Sequence, residues 1–270
     1  MRCVLCGNTR FSRIHSLGKC TTCGLVQVVP MPSEKEIQKL YHEDIEHFAP
    51  YIAQIPVHRE YFRKKIKEIN TQYAIRNTQC HLLDIGCAMG ILLKEAKKAG
   101  YKAQGVDISA DAVAYCRKKG FSVSQRWPTS KFDVITAFEI IEHERDPKRM
   151  MSRVYKLLNK GGLAFLTTPN HDSFWRKIMG TWWVGYHHPE HVTFWDPQSL
   201  TYLLKTSGFR NIKIQRDSPR PFPLSFVFTR GADYMPWAAR ILKPIGKLLD
   251  RFHLKNPINP WDDLIMYGRK

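Results

Sequence analysis

The sequence of 270 residues predicts an α/β fold in which helices cover both faces of a doubly wound, mostly parallel sheet. Two observations predict it. From Cys80 onward, short apolar runs alternate with amphipathic stretches, which is the rhythm of parallel strands joined by helices. The first of these runs ends in a glycine-containing turn of the kind that brings a backbone close to a ligand. A chain of this length accommodates one such domain and a short appendage.

Five apolar runs are the candidate strands of this sheet, and helices are expected between them, beginning near Met89, Ser109 and Asp146. The runs are HLLDIG, YKAQGVD, GFSVSQ, FDVITA and GLAFLTT. Ligands of such sheets bind beyond the carboxyl ends of the strands. The search for a site therefore begins with the residues that end each run.

Two helices are predicted ahead of the sheet. Ser33 and Glu36 have the spacing of a capping box, which starts a helix after the chain-breaking Pro30 and Pro32. The segment from Arg59 to Asn70 has apolar residues at helical spacing, and we expect them to form a buried stripe. These residues are Tyr61, Phe62, Ile66 and Ile69.

Four of the seven cysteines form two CxxCG pairs near the N-terminus. Cys3 and Cys6 make the first pair, and Cys20 and Cys23 make the second. Two such turns supply the four thiolates of the tetrahedral shell that Zn²⁺ prefers. Since four protein ligands leave no position for an activated water, the predicted ion is structural. Reduced or disulfide-bonded thiols are the alternative.

The first predicted strand contains Asp84 near its end, and a turn of small residues follows from Gly86 to Gly90. This pattern differs from the dinucleotide fingerprint GxGxxG. A carboxylate at this position would repel a pyrophosphate, but it suits the two positive charges of a sulfonium and an ammonium group. Asp107 ends the next run, near the ~20-residue offset at which an acid binds ribose hydroxyls. These residues predict a nucleoside site.

These segments resemble class I S-adenosylmethionine-dependent methyltransferases. LLDIGCAMG is similar to the family's first motif, GVDIS to its second-strand acid, and FDVITAFEIIEH to its fourth-strand segment. GGLAFLTTPN, EHVTFWDPQSLTYLLKTSGF and DDLIMYGRK resemble the fifth strand, a later helix and the last, antiparallel strand. The cysteine pairs resemble the zinc-binding leader of a subset of bacterial small-molecule methyltransferases. The resemblance implies a Rossmann-like, seven-stranded, mostly parallel sheet.

The resemblance also implies that S-adenosylmethionine is the cosubstrate and that the matched residues bind it. Asp84 would lie near the methionine part, Asp107 on the ribose and Ile108 beside the adenine. The family's turn usually has glycine where this chain has Ala88, and the acid that often follows the third strand is missing, which leaves Gln125 as its substitute. The full set is Asp84, Gly86, Cys87, Gly90, Asp107, Ile108, Gln125, Phe138 and Glu139. Core packing is the alternative for the apolar members.

Proton removal from the acceptor is the chemical task left to side chains, because a sulfonium needs little activation. His191, in the HHPEH segment, is the favoured base, and His143 and Glu190 complete the catalytic candidates. A structural, hydrogen-bonding role is the alternative for either histidine. Glu139, Glu142 and His143 also resemble a trio proposed to bind Mg²⁺ in quinone O-methyltransferases. A surface helix without a metal explains the trio equally well.

Two aromatic and basic insertions, about 170–194 and 218–261, are expected to select the acceptor. The first would close over a ring-shaped acceptor, or pack as a buried lid. The second contains MPWAARILKPIGKLLDRFHLK, which would rest on an anionic membrane and admit a lipid-linked substrate, or pack as a plain helix on the domain. The net charge of +18 predicts attraction to nucleic acid, anionic lipid or phosphorylated substrates without choosing among them.

The predicted organisation is a zinc-binding module over 1–32, a helical linker over 33–79 and a methyltransferase domain over 80–270. No apolar run approaches the ~20 residues that cross a bilayer, and the first residues lack an apolar signal core. We therefore expect a cytoplasmic protein, with the inner face of the membrane as a peripheral location.

The acceptor is expected to be a sugar or glycan intermediate, or a quinone-like or lipid-linked compound, methylated on oxygen or carbon. One alternative is an RNA methyltransferase that holds RNA with its zinc module and basic surface. Another is a non-catalytic adaptor that binds zinc and a nucleotide. The sequence predicts no oligomeric state.

Overall fold

The computed structural model describes residues 2–40, 51–52, 54–73, 80–220, 222–234, 236–252, 254 and 262–270. The N-terminal segment forms an antiparallel sheet of three short strands, β1 (Phe11–Ile14), β2 (Leu17–Cys20) and β3 (Val26–Val28). A fourth strand, β9 (Thr193–Phe194), comes from far along the chain and pairs antiparallel with β3. The cysteine-containing segment is thereby joined to the predicted first insertion.

Among the residues described ahead of the main sheet, two longer helices are α1 (Glu34–Leu40) and α2 (Ile55–Gln72). The predicted capping box is present, because the Ser33 amide donates to Glu36 Oε2 at 2.7 Å and the Glu36 amide donates to Ser33 Oγ at 3.3 Å. The predicted apolar stripe of α2 is buried along its length. Part of the predicted linker, including residues 41–50 and 74–79, lies outside the described residues.

The centre of the molecule is a seven-stranded sheet with the order β10-β11-β8-β7-β4-β5-β6. Its strands are β4 (His81–Ile85), β5 (Lys102–Val106), β6 (Ser122–Ser124), β7 (Phe132–Phe138), β8 (Leu158–Thr168), β10 (Arg210–Arg216) and β11 (Leu264–Arg269). β11 runs antiparallel to both of its neighbours, whereas β4, β5, β6, β7 and β8 are mutually parallel. The predicted fold class is confirmed.

Helices connect the parallel strands and place the core on both faces of the sheet. They are α3 (Ile91–Lys98), α4 (Ala110–Lys118), α5 (Pro147–Leu157) and α7 (Pro197–Thr206). Ser109 and Asp146 cap α4 and α5 through their side chains, at the positions where the sequence predicts these helices to begin. Along β4, Leu83 belongs to one buried cluster and Leu82 to another, as expected for a strand covered on both faces.

The two insertions are helical and differ in burial. The first contains α6 (Phe174–Met179) and two 3₁₀ turns, and its Trp183 is fully buried with Leu17 and Val26 of the N-terminal sheet. The second contains α8 (Leu224–Tyr234) and α9 (Ala239–Asp250), which pack against each other. Met235, His253 and Lys255 of the predicted amphipathic stretch lie outside the described residues. Within the described residues, every helix is too short or too polar to traverse a lipid bilayer.

Candidate active site

The turn after β4 has the backbone conformation that its small residues permit. Gly86, Ala88 and Gly90 all have positive φ, at 72°, 42° and 69°. A Cβ atom added to Gly86 would lie 2.0 Å from Cδ1 of Ile140, so a larger residue there would be strained by its φ and would displace the Ile140 side chain. The turn leads directly into α3, which begins at Ile91.

Asp107, at the end of β5, is hydrogen-bonded to this turn. Its carboxylate accepts the Ala88 amide at 2.8 Å and the Ser109 amide at 2.9 Å. Burial raises the pKa of Asp107, while these backbone donors oppose that rise. The structure therefore brings together the two features, turn and second acid, that the sequence singled out.

Asp84 lies buried at the end of β4. Thr136 Oγ1 donates to its carboxylate at 2.7 Å, and burial raises the pKa of Asp84 to about 7. This pKa means that the protein alone offers the ionised Asp84 carboxylate too little stabilisation to offset its loss of hydration. A positively charged ligand group beside it would favour the ionised form.

Three further predicted residues surround the ends of β4, β5 and β6. The Ile108 side chain is 64% exposed, and the Gln125 side-chain amide donates to the Ile108 carbonyl at 2.9 Å. Ile108 thus offers an apolar surface without a protein neighbour to cover most of it. The side chain of Cys87, unlike that of Ile108, is buried. Its thiol packs against Gly105, and a Cβ atom added to Gly105 would lie 2.6 Å from the Cys87 Sγ.

Phe138 and Glu139 follow at the carboxyl end of β7. The Phe138 ring packs edge-on against Phe62 of α2, with ring centroids 5.1 Å apart. Glu139 has a φ of 54°, a strained value for a residue with a side chain, and its carboxylate accepts the Thr167 hydroxyl at 2.7 Å. The hydrogen bond from Thr167 helps to hold the Glu139 side chain despite the strained backbone.

A buried charge network next to Glu139 escaped prediction from the sequence. Arg220 Nη2 lies 3.4 Å from the Glu139 carboxylate and 3.5 Å from that of Asp263. Behind it, Asp217 pairs with Lys65 and accepts the Tyr61 hydroxyl. The acidic pair ahead of the last strand was a signal in the sequence, whereas Arg220 sits in an insertion that has no motif.

Glu142, His143 and His191 converge beside this network. Their ligand atoms all lie within 4.8 Å of one another. Thr168 donates to Glu142 Oε2 at 3.0 Å, but the buried Glu142 Oε1 has no hydrogen-bond partner among the described residues. Burial raises the pKa of Glu142 well above its ordinary value. Of the predicted trio, Glu142 and His143 belong to this group, whereas the Glu139 carboxylate bonds to Thr167 and Arg220.

The hydrogen bond of His191 defines its tautomer. Nδ1 lies 2.9 Å from the Gly185 carbonyl, which only accepts, so Nδ1 carries the proton and Nε2 has a free lone pair. Burial lowers the pKa of His191 to about 3 and that of His143 to about 4, so both rings are neutral near pH 7. Glu190 lies nearby and contacts the ring of His188 at 3.2 Å.

The four N-terminal cysteines form a second cluster, away from the sheet edge. Their sulfur atoms all lie within 4.8 Å of one another, with 3.5 Å between Cys3 and Cys23 and 3.4 Å between Cys6 and Cys20. A tetrahedral shell with Zn–S bonds of ~2.3 Å separates sulfurs by about 3.8 Å. The Cys3 thiol is hydrogen-bonded by its neighbours, above all by Cys23, which lowers its pKa to about 5. The arrangement fits a bound Zn²⁺.

Comparisons with known proteins agree with this fold. A SAM-dependent methyltransferase from Archaeoglobus fulgidus superimposes with a TM-score of 0.54 at 20% identity, covering 82% of this chain and all of the other. A SAM-dependent methyltransferase from Thermotoga maritima, described as a possible histamine N-methyltransferase, gives a TM-score of 0.57 at 15% identity, covering 87% of this chain and 99% of the other. At these identities the likeness concerns the fold.

Two curated relatives are ubiquinone biosynthesis O-methyltransferases. The mitochondrial enzyme of Candida albicans is 27% identical, and the match covers 63% of this chain but only 56% of that protein. The enzyme of Coxiella burnetii is 26% identical, over 62% of this chain and 78% of that protein. The match thus spans little more than half of the Candida enzyme.

The sheet order, the glycine turn and the acid after β5 together define a Rossmann-like methyltransferase. The family described as Methyltransferase domain matches residues 57–214, more than half of the sequence. The chain belongs to this family and is an S-adenosylmethionine-dependent methyltransferase.

Proposed function

We propose that the chain transfers a methyl group from S-adenosylmethionine to a hydroxyl of a small, quinone-like ring. The observation that carries the proposal is the buried group of Glu142, His143 and His191 at the edge of the sheet where Glu139 also lies. Oxygen methylation of a ring is favoured over a sugar acceptor and over carbon methylation by the names of the curated relatives. Those names also favour a small molecule over RNA.

The proposed cosubstrate site uses the residues that the sequence singled out. The backbone of Gly86, Cys87 and Gly90 lies against the ligand, and Asp84 faces its sulfonium and amino groups. Asp107 accepts the ribose hydroxyls, and the exposed Ile108, supported by Gln125, covers the adenine. Phe138 and Glu139 form the wall that separates this site from the acceptor.

On the acceptor side, His191 is the proposed base, because its Nε2 is unprotonated and its Nδ1–H is held by the Gly185 carbonyl. Two neighbours support it: His143, whose ring centroid lies 4.9 Å from that of His191, and Glu190, which contacts the ring of His188 at 3.2 Å. His191 accepts the hydroxyl proton as the oxygen attacks the methyl carbon in line with the sulfur leaving group.

We also propose that Glu142 and His143, whose ligand atoms lie within 4.8 Å of one another, hold a divalent cation such as Mg²⁺, so that Nε2 of His191 stays available as the base. The fit rests on the buried Glu142 Oε1, which has no hydrogen-bond partner among the described residues, and on the His143 imidazole beside it, which is neutral because burial lowers its pKa to about 4. A bound cation supplies Lewis acidity that lowers the pKa of an acceptor hydroxyl. Because burial raises the pKa of the Glu142 carboxyl, we expect this group to ionise when the cation is bound beside it.

For the N-terminal cluster we propose a structural Zn²⁺ on Cys3, Cys6, Cys20 and Cys23. The division into residues 1–32, 33–79 and 80–270 remains our proposal for the domain organisation. The pairing of β3 with β9 makes the first of these regions a support of the methyltransferase domain. We further propose that the enzyme works in the cytoplasm, beside the inner face of the membrane.

The experiment that tests the proposed function measures S-adenosylhomocysteine formation with a catechol-type acceptor, with and without Mg²⁺. Activity with the catechol, and its fall by 100-fold or more in His191→Gln and Glu142→Gln, are expected. His187→Gln, on the same loop but exposed, is the matched control. Methylation of RNA or of a sugar instead of the catechol would refute the proposed acceptor.

A further inference from the structure

Helix α9 exposes an apolar stripe to solvent. At 3.6 residues per turn, five large apolar residues, three within α9 and one just beyond each of its ends, fall on one face of the helix. They are 36% to 71% exposed and comprise Trp237, Ile241, Ile245, Leu248 and Phe252. An isolated exposed leucine is ordinary, but five large apolar side chains in one row mark an interaction surface.

The opposite face of α9 is already occupied by α8. Gly246 is buried there, and an added Cβ would lie 2.8 Å from Thr229 Cγ2 and 3.1 Å from the Ser225 carbonyl. Ser225 Oγ also donates to Asp250 at 2.9 Å. Because the helix is fixed on α8 through this face, rotation cannot bury the stripe.

Exposed basic residues border the stripe along one side of α9. They are Arg240, Lys243, Lys247 and Arg251. An apolar row beside cationic side chains complements a surface that is hydrophobic below a layer of negative charge. A helix of twelve residues, about 18 Å long, is too short to span a bilayer and suits an in-plane position at the headgroups.

We propose that α9 docks this face on an anionic lipid bilayer. The apolar stripe enters the boundary between headgroups and acyl chains, and the basic side chains contact lipid phosphates. RNA would engage the four cations but would leave Ile241, Ile245 and Leu248 in water, so it fits the surface less well.

The docked helix pair is connected to the acceptor side of the active site. Phe222, just ahead of α8, stacks on Phe226 with centroids 4.5 Å apart and packs edge-on against His58 of α2 at 5.9 Å. Two residues earlier, Arg220 contacts Glu139. Entry of a lipid-soluble acceptor from the bilayer is a consequence that rests on the proposed function, whereas lipid docking rests on α9 alone.

The test is flotation of the full-length protein with vesicles of phosphatidylcholine alone and of phosphatidylcholine with 30 mol% phosphatidylglycerol. We expect binding to the anionic vesicles, at least tenfold weaker binding to the neutral ones, and a blue shift of Trp237 fluorescence that is absent in Trp237→Phe. Ile241→Glu/Leu248→Glu should lose binding by tenfold or more. Lys243→Gln/Lys247→Gln should weaken binding about fivefold per charge.

Tyr202→Glu, which places a glutamate on the exposed face of α7, is the matched control and should bind like the wild type. Each variant is checked for S-adenosylmethionine binding, which reports folding separately from docking. Equal vesicle binding by the Ile241→Glu/Leu248→Glu protein would overturn the proposal, because adsorption would then depend on net charge alone. No binding to either vesicle would also overturn it, as would binding of an RNA oligonucleotide that requires the same residues and excludes vesicles.

Discussion

We expect the buried carboxyl of Asp84 to make both the stability of the protein and its binding of S-adenosylmethionine depend on pH. Because its pKa is about 7 in the folded chain and near 3.8 when unfolded, it releases its proton first in the unfolded state. The free energy of unfolding therefore falls as the pH rises from about 4 to 7. Above pH 7 the folded protein bears the full destabilisation that comes from the buried, ionised Asp84 carboxylate. Asp84→Asn should raise the unfolding free energy at pH 8, by up to about 4 kcal/mol, and should change it little at pH 4.

The same Asp84→Asn substitution should weaken S-adenosylmethionine binding, since it removes the negative charge opposite the sulfonium. Urea unfolding at pH 4 and pH 8, followed by calorimetry at pH 8, makes both measurements on one protein. Asp111→Asn, exposed in the first turn of α4, is the matched control. A stability gain that is equal at both pH values would show that Asp84 is not the titrating group.

Ala88 carries a strain that glycine would relieve. Its φ of 42° costs an alanine about 1–2 kcal/mol, whereas glycine gains about 0.5–1 kcal/mol of extra freedom when unfolded. We expect Ala88→Gly to stabilise the protein by roughly 0.5 kcal/mol in urea titration. Ala114→Gly, in the middle of α4, should destabilise it by about 1 kcal/mol. Equal destabilisation by both changes would contradict the conformation of the turn.

The sequence indicates the contact between the β4 turn and Asp107 better than it indicates the charge network beside Glu139. The turn and Asp107 lie close together in the chain and are joined by one hydrogen bond, so local spacing indicates them. Arg220 and Asp217 reach Glu139 and Lys65 only through tertiary packing across long separations. No local pattern encodes such contacts, and for that reason the network was missed.

At the level of elements, strand β3 links the cysteine cluster to the acceptor site. The Val28 amide donates to the Val192 carbonyl at 3.0 Å, and the Val192 amide donates to the Glu142 carbonyl at 2.9 Å. Val192 directly follows His191, the proposed base. We infer that the N-terminal sheet positions the loop that contains His191.

Metal removal should therefore loosen both ends of this hydrogen-bonded link. If Zn²⁺ is chelated, hydrogen exchange should accelerate by tenfold or more at residues 26–28 and 191–194, because both segments depend on β3. Amides of β4 serve as the internal control and should keep their protection. Release of the metal with unchanged exchange at 191–194 would contradict the positioning role of β3.

Elements with a strong local period were predicted from their spacing and the last strand, β11, from the family resemblance, whereas β9 was not predicted. The strands from β4 to β8, the caps of α4 and α5 and the buried stripe of α2 follow from apolar spacing and capping residues. β9 has only two residues and exists because β3 lies beside it. The aromatic content of the first insertion also serves the N-terminal sheet, since Trp183 is buried there.

For the whole molecule, the structure shows where some of the basic and acidic side chains behind the net charge of +18 lie. Basic side chains border the apolar row of α9, while carboxylates dominate the interior around Glu139, Glu142 and Asp263. The positive surface suits an anionic partner, and the acidic interior suits positively charged ligands. We therefore expect the proposed lipid-binding surface to be separate from the proposed pocket for the cosubstrate and a cation.

The central claim, that this chain binds S-adenosylmethionine at the β4 turn, is tested most directly by calorimetric titration of the cosubstrate. We predict saturable 1:1 binding that weakens by at least tenfold in Asp107→Ala and is retained in Asp111→Ala, the exposed control. Thermal unfolding of each protein confirms that the variants are folded. Absence of binding to the folded, zinc-loaded wild-type chain would contradict the account.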